Sequence, residues 1–159
     1  MAIDAIRQRW DPVMCGRIGA HVTLVHDVID HERASDLVAA VAAETPPFRI
    51  RLTHADRWGP SAYGIYLHVD DPTGTVPAMQ SRLAGLEHPS WARVPFRAHC
   101  TLVHGRTVDP ALAEEAWSAL ASFEAGLELE LSSVDIIELE EPAWRTVERF
   151  ELCAAPVAD

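Results

Sequence analysis

The sequence predicts an α+β fold: two pseudo-symmetric lobes, each ordered strand-helix-strand-strand, with antiparallel sheets facing a central cleft. Three observations predict it. Five of six residues recur between His21-Val-Thr-Leu-Val-His26 and His99-Cys-Thr-Leu-Val-His104. The same succession of hydrophobic periods follows each copy. The next strand of each half begins at nearly the same interval from its motif, at Phe48 after His21 and at Leu127 after His99. A repeat that extends from a short motif to the order of elements marks a duplicated unit. The chain of 159 residues reads as one bilobal domain over 1–159. Lobe one covers about 17–70, a linking helix and loop 71–96, and lobe two about 97–153.

Residues 18–25, Ile-Gly-Ala-His-Val-Thr-Leu-Val, are mostly β-formers and read as a strand. His31–Glu44 sets Leu37, Val38 and Val41 at helical spacing behind Asp30, a capping residue, and Pro46-Pro47 ends the helix. Phe48–Thr53 alternates Phe48, Ile50 and Leu52 with Arg49, Arg51 and Thr53, a half-buried strand. A Gly-Pro turn lies within Asp56–Ser61, and Tyr63–Val69 is the next strand. Pro72–Gly85 reads as the linking helix and Glu87–Phe96 as a proline-bearing loop. The order then restarts. Arg97–Val103 is a strand, and Asp109 caps a helix from Pro110 to about Phe123 with proline at its favoured first position. Leu127-Glu-Leu-Glu-Leu131 alternates strictly, Val134–Leu139 continues or pairs with it, and Thr146–Leu152 closes the sheet.

Composition narrows the function classes. No apolar stretch is long enough to cross a bilayer. Met1–Trp10 carries Asp4, Arg7 and Arg9 and lacks a secretory core, so a cytoplasmic location is expected. The net charge is −11, and all 13 Lys/Arg positions are arginine. An acidic body repels long polyanions, so extended tracking along nucleic acid is not expected; a small nucleotide or an RNA terminus is the expected partner, with no membrane and the protein a monomer. Absence of lysine removes Schiff-base chemistry and any P-loop. Cys15, Cys100 and Cys153 have no metal-like spacing and read as reduced packing thiols.

Each motif copy sets a histidine and a threonine two residues apart, on one face of a strand. Two such strands facing each other present His21, Thr23, His99 and Thr101 to one cleft. A lone histidine is more often structural and a strand threonine more often a mere β-former. Duplication at identical offsets shifts both readings towards function. Two imidazoles near neutral pKa suit a base and an acid on opposite sides of a phosphorus, and two short hydroxyls suit its non-bridging oxygens. Arg97, two before His99, shares its face and is placed to neutralise phosphate charge; the first copy has Gly19 there, so the pseudo-symmetry breaks. Arg17 is in phase with His21 by the same logic. Tyr63, Tyr66 and Trp91 are candidates to stack on a base or sugar, although strand aromatics more often fill a core. His26 and His104, at an odd offset, point to the opposite strand face unless a bulge intervenes. His31, His54, His68 and His88 read as surface or packing residues. A metal centre of His21, His26 and His31 fits neither a helical nor a strand face.

Paired His-x-Thr-Leu motifs in this setting resemble the two-histidine (2H) phosphoesterase superfamily, which includes 2′,5′ RNA ligase-like proteins and cyclic nucleotide phosphodiesterases. The resemblance runs from about Arg17 to Leu152 and includes the closing Glu141-Pro-Ala-Trp144 … Phe150-Glu-Leu152. It implies the 2′,5′ RNA ligase-like fold. His21 and His99 match the catalytic histidines, and Thr23 and Thr101 the phosphate-binding hydroxyls. The implied substrates are 2′,3′-cyclic or 1″,2″-cyclic phosphates and 2′-5′ linkages, as in RNA processing, handled without metal or other cofactor. Sequence does not fix which histidine is the base; analogy leans to His99. Many members open with a strand and helix before the first motif, and the residues ahead of His21 are too few for both, so a trimmed or rearranged edge is expected there. A module of the same fold that binds nucleotide or phosphate without chemistry is the alternative.

Overall fold

The two copies of the repeat do not fold alike. In the computed structural model, which describes residues 2–59, 64–91 and 94–153, His99–Val103 forms a strand while the first copy contributes one antiparallel bridge, Val22 to Cys100. The first copy has one neighbouring strand and bends at Leu24, so its β-propensity finds no ladder to extend.

Two short helices open the chain, α1 (Ala2–Trp10) and α2 (Pro12–Arg17). The N-terminal edge is thus helical, with no strand, and Arg17 ends a helix rather than sharing a strand phase with His21. Helix α3 (His31–Ala43) follows the expected pattern. Asp30 accepts from the Arg33 amide at 3.0 Å, and Ala34, Val38, Val41 and Ala42 are buried. Then come β1 (Phe48–Arg57), β2 (Ile65–Asp70), α4 (Thr75–Leu83) with a 3₁₀ turn (Ala84–Leu86), and β3 (His99–Val103). Helix α5 (Pro110–Leu120) starts with Asp109 accepting from the Leu112 amide at 2.9 Å. Strands β4 (Glu124–Leu131), β5 (Ser133–Glu140) and β6 (Ala143–Glu151) complete the described chain.

Four strands form an antiparallel sheet in the order β3-β2-β1-β4, and β5 and β6 form a separate two-stranded sheet. The last strand therefore pairs with β5 and does not close the larger sheet. The larger sheet draws strands from both halves of the chain. Its inner face, with Ile50, Leu52, Ala55, Ile65, Leu67 and Cys100, packs on α1, α3 and α4 residues such as Ile3, Val41 and Met79 in one core.

Two irregularities in this sheet decide what faces outward. Phe48, Ile50 and Leu52 point into the core, and strict alternation would send Asp56 the same way. The pairing register slips after Leu52 on both sides of β1, so Ala55 becomes the buried residue and Asp56 turns to the opposite face. A second slip adds one residue to β3 between its pairings with Tyr66 and Ile65. No helix among the described residues is long and apolar enough to cross a membrane.

Candidate active site

Cross-strand neighbours share a face, so the register lays out the site in two rows. Asp56 on β1 pairs with Tyr66 on β2, and Tyr66 pairs with Thr101 on β3. Beside them His68 pairs with His99. The bridge between Val22 and Cys100 continues both rows into the first motif, setting His21 opposite Thr101 and Thr23 opposite His99. The four repeated side chains thus meet on one face, with Val22 and Cys100 turned towards the core. His21 and His99 are diagonal neighbours, a separation of about 7–8 Å between backbones, and imidazoles reaching from both sides can flank one phosphorus.

Both rings are held identically. His21 Nδ1 lies 2.8 Å from the Gly19 carbonyl and His99 Nδ1 2.7 Å from the Arg97 carbonyl. A carbonyl only accepts, so Nδ1 carries the hydrogen in each neutral ring and Nε2 has the free lone pair. Partial burial lowers the pKa of both histidines below 6.5; the backbone hydrogen bonds to Gly19 and Arg97 oppose that shift, and the nearby guanidinium of Arg7 for His21 and of Arg97 for His99 adds to it. His21 nonetheless keeps solvent contact, and His99 is half-buried.

An aromatic wall backs His99. The Trp58 ring meets it edge-on with centroids 4.9 Å apart, and Tyr66 does so at 5.5 Å. Trp58 also packs on Tyr66 at 4.4 Å. The Arg97 guanidinium lies 5.5 Å from the Trp58 ring centre and 5.9 Å from that of Tyr66, and it donates to the Tyr66 hydroxyl. This wall exists because Gly64 lets the indole approach: a Cβ there would sit 2.8 Å from Trp58 Cδ1. Gly64→Ala is expected to cost about 1–3 kcal/mol through overpacking and to shift the Trp58 environment. Denaturant melts followed by tryptophan fluorescence check both.

The expected aromatic contacts divide. Tyr66 is 0% exposed, walled by Trp58, His99 and His68, so its ring serves the protein and is closed to a substrate. Trp91 is half-buried; it stacks on His26 at 4.4 Å and donates from Nε1 to Asp27 at 2.8 Å. Tyr63 lies outside the described residues.

His26 and His104 do not simply turn away. The extra residue in β3 puts Val103 in the core phase, so His104 inherits that of Thr101, and its imidazole is close enough to His21 to be affected by its charge. In the first copy the chain bends after Thr23, and His26 influences both motif histidines electrostatically. Each of these trailing residues has its backbone amide pinned by a distant carboxylate: His26 by Glu87 at 3.0 Å and His104 by Asp11 at 2.8 Å. His68 and His54, expected at the surface or in packing, stack at 4.2 Å beside Asp56. Sequence carried no sign of Asp56, Trp58 or His68, because only the slip in β1 and the pairing of β2 with β3 bring them to this face. Among the described residues, no group of three or more His, Cys, Asp and Glu side chains is disposed to hold a metal ion.

The sequence profile of a family described as the 2′-5′ RNA ligase superfamily matches residues 1–143. No curated protein matches in sequence. Among solved structures, TT0787 of Thermus thermophilus is similar with a TM-score of 0.66 and 16% identity, over 96% of this chain and 91% of that one. E. coli LigT complexed with NADP+ is similar at 0.59 and 15%, over 93% and 91%. LigT complexed with 3′-AMP is similar at 0.58 and 15%, over 94% and 92%. Identities this low show a shared fold.

Proposed function

We infer that this chain, which belongs to the 2′-5′ RNA ligase superfamily, is a metal-independent phosphodiesterase. Its substrate is a cyclic phosphate, 2′,3′- or 1″,2″-cyclic, or a 2′-5′ linkage at a nucleotide or RNA end. One observation carries the reading: two His–Thr pairs in register across a single bridge, each imidazole tied through Nδ1 to its own backbone. In-line displacement at phosphorus needs a base on one side and an acid on the other. With Nδ1 occupied, Nε2 of one neutral ring takes the proton of the attacking water, and Nε2–H of the other, charged ring gives one to the leaving alkoxide. Thr23 and Thr101 donate hydroxyls to the non-bridging oxygens, and β-branching keeps both stiff. Arg97 adds positive charge on the second-motif side. A nucleotide-sized partner is also supported by LigT, a relative in fold, having been crystallised with 3′-AMP and with ATP.

The test is turnover of a panel of 2′,3′-cyclic nucleotides and 2′-5′-linked dinucleotides by purified protein in excess EDTA. Hydrolysis at a rate unchanged by the chelator is expected. Loss of activity in EDTA overturns the metal-independent mechanism. Nucleotide binding by calorimetry without product across the panel replaces this reading with a non-catalytic binding module.

A further inference from the structure

Arg97 is an exposed residue and has no carboxylate partner among the ion pairs of the described residues. A long side chain so placed would ordinarily sample many rotamers. Here its guanidinium is tied to a hydroxyl buried in the sheet, and the polarity of the chain behind that hydroxyl is forced. Asp56 Oδ1 accepts from the Arg57 amide at 2.8 Å, while Oδ2 accepts from His68 Nε2 at 3.1 Å and from the Tyr66 hydroxyl at 3.1 Å. These donors, the Arg57 amide foremost, hold the Asp56 carboxyl below the usual carboxylate range. The phenol has a single hydrogen, and the carboxylate takes it. Its lone pairs then face Arg97, which can only donate. Burial raises the Tyr66 pKa, so the phenol stays neutral and keeps this role at physiological pH. The Trp58 ring flanks the guanidinium at 5.5 Å, and the hydroxyl takes only one of its five N–H donors.

We propose that Tyr66 and Asp56 are positioning residues that aim Arg97 at the phosphate-binding face beside His99 and Thr101. The proposal rests on the reading of this cleft as a phosphate site. It makes the cleft functionally one-sided, since Gly19 stands where the first copy would need its own arginine. It also gives the slip in β1 a purpose, because without it Asp56 would face the core.

The experiment measures the Kd for inorganic phosphate by calorimetry, and kcat and KM for a 2′,3′-cyclic nucleotide, in Tyr66→Phe, Arg97→Ala and the double variant. Tyr66→Phe keeps the ring and removes only the hydroxyl. It is expected to raise KM and the phosphate Kd about tenfold, the effect of one charge-assisted hydrogen bond, while kcat changes less. Arg97→Ala is expected to do at least as much. The double variant is expected to match Arg97→Ala alone, since the hydroxyl acts only through the guanidinium. Asp56→Ala should move KM the same way, and Asp56→Asn, which retains an acceptor for the phenol, should restore most of it. A structural role alone would lower thermal stability without this rescue pattern. Wild-type protein that binds phosphate and turns over substrate while Tyr66→Phe leaves KM and Kd unchanged, or while the two losses add, overturns the proposal and spares the functional reading. Wild-type protein that does neither overturns both.

Discussion

Replacing either His21 or His99 by alanine lowers turnover of a 2′,3′-cyclic nucleotide at least about a hundredfold, the scale of losing a general acid or base. The fold is expected to survive, because His21 is exposed, His99 is half-buried, and each ring's resolved hydrogen bond goes to a backbone carbonyl two residues away. Circular dichroism and a thermal melt separate that outcome from unfolding. The double variant should be little worse than either single one, since base and acid act in one step and removing one idles the other. Full activity in both single variants refutes the two-imidazole mechanism.

The same pair fixes the expected pH dependence. Burial keeps both rings below their ordinary pKa in the free protein, so both are largely neutral at pH 7. A neutral ring is ready as base, but the acid must be charged. A bound phosphate monoanion favours the imidazolium and raises its pKa in the complex. The kcat/KM profile reports the free protein and the kcat profile the complex. The alkaline limb of kcat/KM should therefore fall at lower pH than that of kcat. Limbs that coincide would mean that the acid does not sense the phosphate, and the assignment of one ring as proton donor would lose its basis.

What the residues disclosed unaided follows from how local each signal is. Helix α3, with Asp30 as its cap and Pro46-Pro47 beyond, was readable because caps, period and breakers lie within a few residues of one another. The alternation in β1 and β4 was equally plain. The failures all depend on partners distant in sequence. The first motif has the composition of a strand but finds only a single bridge. Asp56 reached the cleft through a register slip that no local pattern announces. Tyr66 alternates like any half-buried aromatic, and it is the approach of Trp58 over Gly64, together with His99 and His68, that closes it to solvent. The odd offset of His104 was correct arithmetic on an unbroken strand, and the extra residue in β3 broke it. The repeated His–Thr pairs escaped this difficulty because each needs only the two-residue period of its own segment to align, and the bridge at Val22 brings the pairs together.

Asp11→Ala is expected to destabilise the protein by about 3 kcal/mol, because it takes the shared acceptor away from buried hydrogen-bond donors. Asp11 is 1% exposed and satisfies three donors. Oδ1 accepts from the Met14 amide at 3.0 Å, capping α2, and Oδ2 accepts from the His104 amide at 2.8 Å and the Thr107 hydroxyl at 2.7 Å. Alanine leaves the Met14 and His104 amides without this partner, while the Thr107 hydroxyl keeps the His104 carbonyl at 2.9 Å as its acceptor. A loss of that size takes a large share of the roughly 5–15 kcal/mol that holds a domain of this kind together, and it should lower the melting temperature by about 6–12 °C. Asn offers a single acceptor oxygen, so Asp11→Asn can retain the helix cap or the His104 contact but not both, and should fall between wild type and alanine. Glu87 does the corresponding service for His26 with one bond at 3.0 Å from a half-buried position, and Glu87→Ala should cost only about 1 kcal/mol. The difference between the two losses is decisive. If both carboxylates merely decorated the surface, the two losses would be small and alike. A deep loss at Asp11 with a shallow one at Glu87 means that α2, which precedes the first motif, is clamped to the end of the second.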